Sequence, residues 1–369
     1  MVAQFHSTAA AAADRGKEFG RACGERIRAT VAAYDELFAA ASGDPVDVDG
    51  LGAEALKRIG SWWPEAADEI EGIASGSGVP VNRIAAINAR TEILAVCARR
   101  TRGECSMFLA LSRSPGGSFA AQTWDWHDHL ARNWLVWTVE LADGRSFQTM
   151  TEYGILAKVG FNSSGVAVLL NILHHRTDGD GIGVPVHLIS RRILQEAADL
   201  TDALGLATTA PVSASTSLTL VGYDDDECSG TCVELCPRGP GVLVPDEEGI
   251  FVRTNHFLTP DAVPGDLEPK VGPDTFVRFD VLRRRLAAER PASAEDCLSL
   301  LRSHYGGGGA LCAHPREDAP MGSRYATLST TVFDFGRNTM TVLPGGPCSD
   351  EETATFHPAP AELSMQGER

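Results

Sequence analysis

Cys105 stands where a basic, turn-prone stretch (Arg99, Arg100, Arg102, Gly103) runs into an apolar, strand-like run, SMFLAL. A thiol at such a junction has two uses. It can pack as a small apolar group at the start of a strand. It can also act as a nucleophile once the chain in front of it is cut, because a new α-amine then lies beside its own Sγ. Residue types alone leave the structural thiol as the plainer reading.

Other groups invite metal chemistry. Cys228, Cys232 and Cys236 recur every four residues. Gly230 and Pro237 disfavour a helix there, and residues four apart on a strand lie about 13 Å apart. Thiolates on one zinc must each come within about 2.3 Å of it, so a strand is expected rather than a zinc site. His127, Asp128 and His129, and the pair His174 and His175, lack the i, i+4 spacing of a zinc hydrolase. They are expected to be solvated loop histidines. The glycine-rich run 304–310, HYGGGGA, lacks the Lys-Ser/Thr of a phosphate loop and reads as a loop or lid.

The elements that must position these groups fall into two textures. Residues 15–42, 51–75 and 81–98 carry apolar positions at helical spacing, with Pro64 opening a new helix. From Cys105 onward, short apolar or alternating runs are split by Pro-Gly, Asp-Gly and Asn-Ser-Ser-Gly turns, as in a strand meander. Residues 184–207 read as one helix, and 279–289 and 294–304 as two more. Residues 327–346 close with a hairpin turning at Gly336, Arg337 and Asn338. Helices, strands, helices and strands in that order suit two sheets packed face to face with helices outside. The Trp62/Trp63 and Trp134/Trp137 pairs are expected in the core.

The 369 residues are 43% hydrophobic, enough for a large core in one α/β sandwich or in several domains. The net charge of −17 argues against nucleic-acid or anionic-membrane partners, which need a basic surface. No run approaches the roughly 20 apolar residues of a membrane span. The first twenty residues have no basic region ahead of an apolar core, and nine irregularly spaced cysteines suit reduced thiols. A cytoplasmic location is expected.

Seven stretches, in order along the chain, resemble the acyl-coenzyme A:isopenicillin N (6-aminopenicillanic acid) acyltransferase family of N-terminal nucleophile hydrolases. They are RGKEFGRACGERI, WWPEAADEIEGIASGSGVPVNRIAAINARTE, GECS, QTWDW, GILAKVGFNSSGVAVLLN, VRTNH and SRYATL. The resemblance implies an α+β fold, an αββα four-layer sandwich of two antiparallel sheets with a mostly helical N-terminal segment. It also implies a precursor cut between Glu104 and Cys105. Segment 1–104 would become one subunit and segment 105–369 the other, the two forming one structural unit and a heterodimer of cleaved fragments. Cys105 falls on the family's nucleophile, Asp125 and Arg324 on its active-site Asp and Arg, and Asn255 on its oxyanion-stabilising Asn. Ser106, Trp124, Thr254, His256 and Ser323 flank these as supporting or substrate-binding residues. Here Glu104 precedes the cysteine directly, with Gly103 one place earlier, whereas the penicillin enzyme has Gly in that position. Ser106 and Met107 replace two threonines.

The chemistry suits those residue types. An α-amine with a reference pKa of about 7.7–8.0 can take the Sγ proton, directly or through water. The thiolate attacks an acyl carbonyl, with amide donors that include the Asn255 NH₂ holding the oxyanion. Asp125 and Arg324 are expected to pair. The acyl group then passes from a thioester to water or to an amine. The expected enzyme is a self-processing cysteine amidohydrolase or acyltransferase with a small-molecule acyl donor or amide substrate. It needs no cofactor or metal, and a coenzyme A thioester is allowed as donor and a higher oligomer as assembly. The alternatives are a non-catalytic relative that binds a small molecule in the same cleft and, behind it, a metallohydrolase using His127 and His129.

Overall fold

The computed structural model describes residues 1–42, 45–97, 104–113, 115–305, 311–316, 318–319 and 324–358, with Glu104 described by its backbone alone. The basic stretch 98–103, residues 306–310 of the glycine-rich run and Ser323 lie outside the described residues.

A short strand, β1 (Gln4–Ser7), precedes five helices: α1 (Ala12–Ser42), α2 (Val48–Trp62), α3 (Pro64–Ser77), α4 (Val81–Asn88) and α5 (Arg90–Val96). Pro64 is the first residue of α3, where a missing N–H removes no helical bond. Helices α1 and α3 pack backbone against backbone. A Cβ on Gly16 would lie 2.1 Å from the Glu69 carbonyl oxygen, and one on Gly72 would lie 2.2 Å from that of Ala13. Only glycine permits that approach.

The chain then forms β2 (Glu104–Ala110), β3 (Phe119–His127), β4 (Trp134–Glu140), β5 (Ser146–Glu152), β6 (Val159–Asn162) and β7 (Val166–Ile172). Helices α6 (Val186–Glu196) and α7 (Leu200–Thr208) lead to β8 (Thr216–Tyr223), β9 (Cys228–Cys236), β10 (Gly239–Leu243) and β11 (Ile250–Arg253). Helices α8 (Glu268–Val271), α9 (Asp274–Ala288) and α10 (Ala294–Leu301) precede β12 (Tyr325–Asp334), β13 (Thr339–Pro344) and β14 (Ala354–Phe356). Two sheets result, ordered β1-β4-β5-β6-β7-β8-β9-β10 and β11-β2-β3-β12-β13-β14. Helices α6 and α7 cover the first, α9 and α10 cover the second, and β2 faces β7 between them. This is the expected four-layer α+β sandwich.

Two expectations need correction. β1 runs parallel to β4, so the eight-stranded sheet is not wholly antiparallel. The strand is anchored there by Phe5, whose ring lies 5.2 Å from Phe19 and 6.3 Å from Trp137. Segment 184–207 is two helices, because the Asp199 carboxylate caps α7 by accepting from the Asp202 N–H at 2.9 Å. The cysteine triplet lies along β9, as its flanking Gly and Pro predicted. Trp63, Trp134 and Trp137 are buried as expected, while Trp62 is only partly so. Among the described residues no helix is long and apolar enough to cross a membrane.

Glu69 of α3 joins the helical segment to the eight-stranded sheet. Its buried carboxylate pairs with Arg15 of α1 at 2.9 Å and with Arg191 of α6 at 2.7 Å. Arg191 in turn lies over the Phe147 ring at 4.6 Å. Removing the carboxylate would strand two buried guanidinium groups. Glu69→Ala should therefore lower unfolding free energy by about 3–5 kcal/mol in a denaturant titration.

Candidate active site

Side chains of β2 alternate between two environments, as a strand requires. Cys105, Met107 and Leu109 face the core between the sheets, while Phe108 and Ala110 face the layer under α9 and α10. Ser106 shares that second face and meets α9 there. Cys105 pairs with Trp124 of β3 on one side. On the other side, pairing with β11 runs only from Ala110 to Met107. Beyond Met107, side chains take over the main-chain hydrogen bonding.

The Cys105 N–H donates to Asn255 Oδ1 at 3.0 Å. Its carbonyl accepts from Asn171 Nδ2 at 3.0 Å and from Arg278 Nη1 at 3.1 Å. Arg278 also donates to Ser106 Oγ and to Asn255 Oδ1, both at 3.0 Å, and pairs with Asp274. Two donors thus converge on Asn255 Oδ1, and its NH₂ donates to the Ile172 carbonyl at 2.9 Å. In this uncut chain Asn255 is an acceptor toward Cys105, not the donor expected of an oxyanion group.

Thr254 and His256 sit behind Asn255. The Asn255 N–H donates to Thr275 Oγ1 at 2.9 Å, and that hydroxyl also meets Thr254 Oγ1 and His256 Nδ1. Burial, helped by Arg253 and Arg278, pushes the His256 imidazole down to about 3. It therefore stays neutral and serves as hydrogen-bonding scaffold.

Asp125 is fully buried on β3 and accepts from Thr327 Oγ1 at 2.6 Å and Thr123 Oγ1 at 3.4 Å. A bulge in β12 between Thr327 and Ser329 aims that first hydroxyl. The expected Asp125–Arg324 pair does not form. Arg324 pairs with Asp128 at 2.6 Å and is about a third exposed. Arg324 precedes β12, and the Asp128 N–H donates to its carbonyl at 3.1 Å, so backbone and side chain hold it to Asp128. Among the described residues, the guanidinium that hydrogen-bonds to Cys105 is that of Arg278.

Beneath Trp124 lies a charged layer. Lys158 Nζ stands 3.5 Å from the Trp124 ring centroid and 2.5 Å from Glu152 Oε2. Glu152 also accepts from the Tyr34 hydroxyl at 2.5 Å and lies 3.4 Å from Arg90 Nε. Burial pushes the Lys158 ammonium down to about 7, although Glu152 opposes that shift. Burial alone would raise the Glu152 carboxyl, but Lys158 and Arg90 outweigh it and hold the group below the usual range. Burial, with Asp125 adding to it, pushes the Cys105 thiol up to about 12. The thiol of the uncut chain is therefore protonated at neutral pH.

The histidine expectation also changes. His127 is buried at the end of β3 against Trp126 and Tyr325, and burial pushes its imidazole down to about 3. His175 is buried, with Nδ1 2.7 Å from Thr177 Oγ1, and His174 bonds to Glu268. His127 and His175 are thus buried and His129 and His174 partly so, rather than freely solvated. The sequence reading gave Arg278, Asn171, Lys158 and Thr327 no role. Asn171 and Lys158 lie inside the motif GILAKVGFNSSGVAVLLN. Arg278 had a local signal: Thr275, Arg278, Leu282 and Leu286 form the buried stripe of α9, so it occupies an apolar position.

Thr327 links two strands through Asp125, which makes its hydroxyl testable. Thr327→Val should cost roughly 1.5–3 kcal/mol, the range for a hydrogen bond to a charged group. Thr327→Ser should recover most of that stability in the same denaturant titration.

The family model for acyl-coenzyme A:6-aminopenicillanic acid acyltransferase matches residues 112–347. The 40 kDa form of acyl-coenzyme A:6-aminopenicillanic-acid-acyltransferase from Emericella nidulans is 30% identical over 292 residues, 79% of this chain and 78% of that one. Among solved structures, the Caenorhabditis elegans N-acylethanolamine-hydrolyzing acid amidase ortholog aligns with TM-score 0.43 and 15% identity, over 63% of this chain and 93% of that one. Penicillin V acylase from Agrobacterium tumefaciens aligns with TM-score 0.44 and 13% identity, over 69% and 86%. The assignment rests on the family match and the Emericella relative: the chain belongs to the acyl-coenzyme A:6-aminopenicillanic acid acyltransferase family.

Proposed function

We propose that this chain is a self-processing cysteine acyltransferase or amidohydrolase with Cys105 as nucleophile. The observation that carries the reading is the clasp on the Cys105 main chain, where Asn255, Asn171 and Arg278 replace a neighbouring strand. Asn255 thereby holds the N–H of the Glu104–Cys105 peptide on which a cut would fall, and Asn171 and Arg278 hold the carbonyl that follows it.

In the uncut chain the Cys105 thiol needs a proton acceptor, because its own nitrogen is an amide. Lys158, held near 7, is partly neutral at physiological pH and fills that role. Sγ adds to the Glu104 carbonyl carbon, the bond to the Cys105 nitrogen breaks, and the departing amine gains a proton. Water then hydrolyses the thioester, leaving a carboxyl on Glu104 and a free thiol on Cys105. The freed α-amine stays against Asn255 Oδ1, positioned to take the thiol proton in later turnovers. Asn255 can serve a substrate oxyanion with its NH₂ once the amide turns from the Ile172 carbonyl. Asp125 holds the strand beside the thiol, while Trp124 covers Lys158. The acyl group leaves Cys105 for water or an amine. Amides and thioesters, coenzyme A thioesters included, are the donor class, and no bound cofactor enters the sequence of steps.

The Glu69–Arg191 ion pair, the Tyr34–Glu152 bond and the β1–β4 pairing keep fragments 1–104 and 105–369 together after the cut. Mass spectrometry of purified protein should find both fragments in one native complex. Cys105→Ala should give an intact chain without activity, and an active Cys105→Ala would remove the thiol from the reaction. Processing should speed up as pH rises through about 7, because the neutral amine of Lys158 is the acceptor. Lys158→Met should slow processing about 10²–10⁴-fold and flatten that rise. An unchanged pH profile would assign proton transfer to another group.

A further inference from the structure

Far from Cys105 in sequence, four side chains with metal-binding atoms converge from two loops. His304, Cys312 and His314 lie in the segment between α10 and β12, and Cys348 follows β13. All four ligand atoms lie within 4.8 Å of one another, and this is the sole such cluster among the described residues. The Sγ atoms of Cys312 and Cys348 are 3.4 Å apart, and both cysteines are free. Nε2 of His314 lies 3.7 Å from the first sulfur and 3.4 Å from the second. The rings of His304 and His314 stand 4.9 Å apart between centroids.

These separations are those of a coordination shell. Zinc–sulfur bonds of about 2.3 Å and zinc–nitrogen bonds of about 2.0–2.1 Å in a tetrahedron place two thiolates ~3.8 Å apart. The same bonds place a thiolate and an imidazole ~3.6 Å apart. The surrounding backbone brings the two loops together without relying on the ligands. The Cys312 N–H donates to the Ser303 carbonyl at 3.1 Å, and Arg302 Nε donates to the Pro347 carbonyl at 3.0 Å. Position 346 must be glycine for the thiol to fit, since a Cβ there would lie 2.5 Å from Cys312 Sγ.

We propose that His304, Cys312, His314 and Cys348 bind one zinc ion. Two thiols lose their protons to solvent as the ion binds, so a Zn²⁺ with two thiolates and two neutral imidazoles carries no net charge. Four protein ligands complete the tetrahedron and leave no open position, which makes the ion structural. Its position gives it a task. Ala313, between two of the ligands, exchanges hydrogen bonds with Thr327 through its N–H at 2.9 Å and its carbonyl at 3.0 Å. Thr327 is the residue whose hydroxyl holds Asp125. The ion would thus anchor the loop that backs the β12 bulge.

The full chain, purified without chelators, should contain about one zinc per molecule by elemental mass spectrometry. Replacing zinc with Co²⁺ should produce the absorption of a tetrahedral, thiolate-ligated ion. Cys312→Ser/Cys348→Ser should lose the metal, while Cys228→Ser should keep it. Should the double variant fold poorly, His314→Ala tests the site at an exposed ligand. Its zinc should pass to a competing chelator about tenfold more readily or faster. Absence of metal both as purified and after zinc addition would overturn the proposal. So would zinc retained by a folded double variant, or a Cys312–Cys348 disulfide in freshly alkylated protein.

Discussion

Arg278 is a buried cation that organises everything around Cys105. Its guanidinium touches the Cys105 carbonyl, the Ser106 hydroxyl and Asn255 Oδ1, and Asp274 offsets its charge one helical turn away. A guanidinium in that position has a large desolvation cost, so its acceptors cannot be left optional. Three consequences follow together. Helix α9 must dock with its Arg278 face inward, the amide of Asn255 must turn its oxygen toward Cys105, and β11 must stop pairing with β2 at Met107. The thiol inherits its surroundings from these constraints more than from its own neighbours in sequence.

A second layer of charge lies under the first. Glu152 sits among Lys158, Arg90 and Tyr34, and Glu69 sits between Arg15 and Arg191. Both carboxylates reach between the helical N-terminal segment and the sheets. An apolar contact tolerates sliding, whereas a buried ion pair is costly once its geometry is lost. The orientation of the helices relative to the sandwich is thereby set by charge as well as by packing.

The α-helical start, the strand meander and the first residue of α3 were legible because each depends on local spacing or on one residue such as Pro64. The break between α6 and α7 was written in Asp199 but masked by continuous helical periodicity on both sides. The motifs around Cys105 and Asp125 fall on paired strands, β2 and β3, yet the expected Asp125–Arg324 pair does not form. Arg324 and Arg278 both lie near elements that carry motifs, and only tertiary structure shows that the first pairs with Asp128 while the second enters the core. The histidines near the strand ends looked polar and therefore exposed, but His127 and His175 are buried by residues distant in sequence, Tyr325 and Phe257 among them. The Cys312/Cys348 pairing was illegible for the same reason, since its members meet only after β12 and β13 fold back.

The alternation along β2 has one more implication. Cys105 and Ser106 are adjacent, chemically related, and point to opposite faces of one sheet. A slip of one residue in the β2–β3 register would deliver a hydroxyl to the space between the sheets and bury the sulfur beneath α9. Choice between oxygen and sulfur chemistry in this molecule is therefore a matter of parity: an even or odd count along a single strand decides which element of the periodic table faces the cleft.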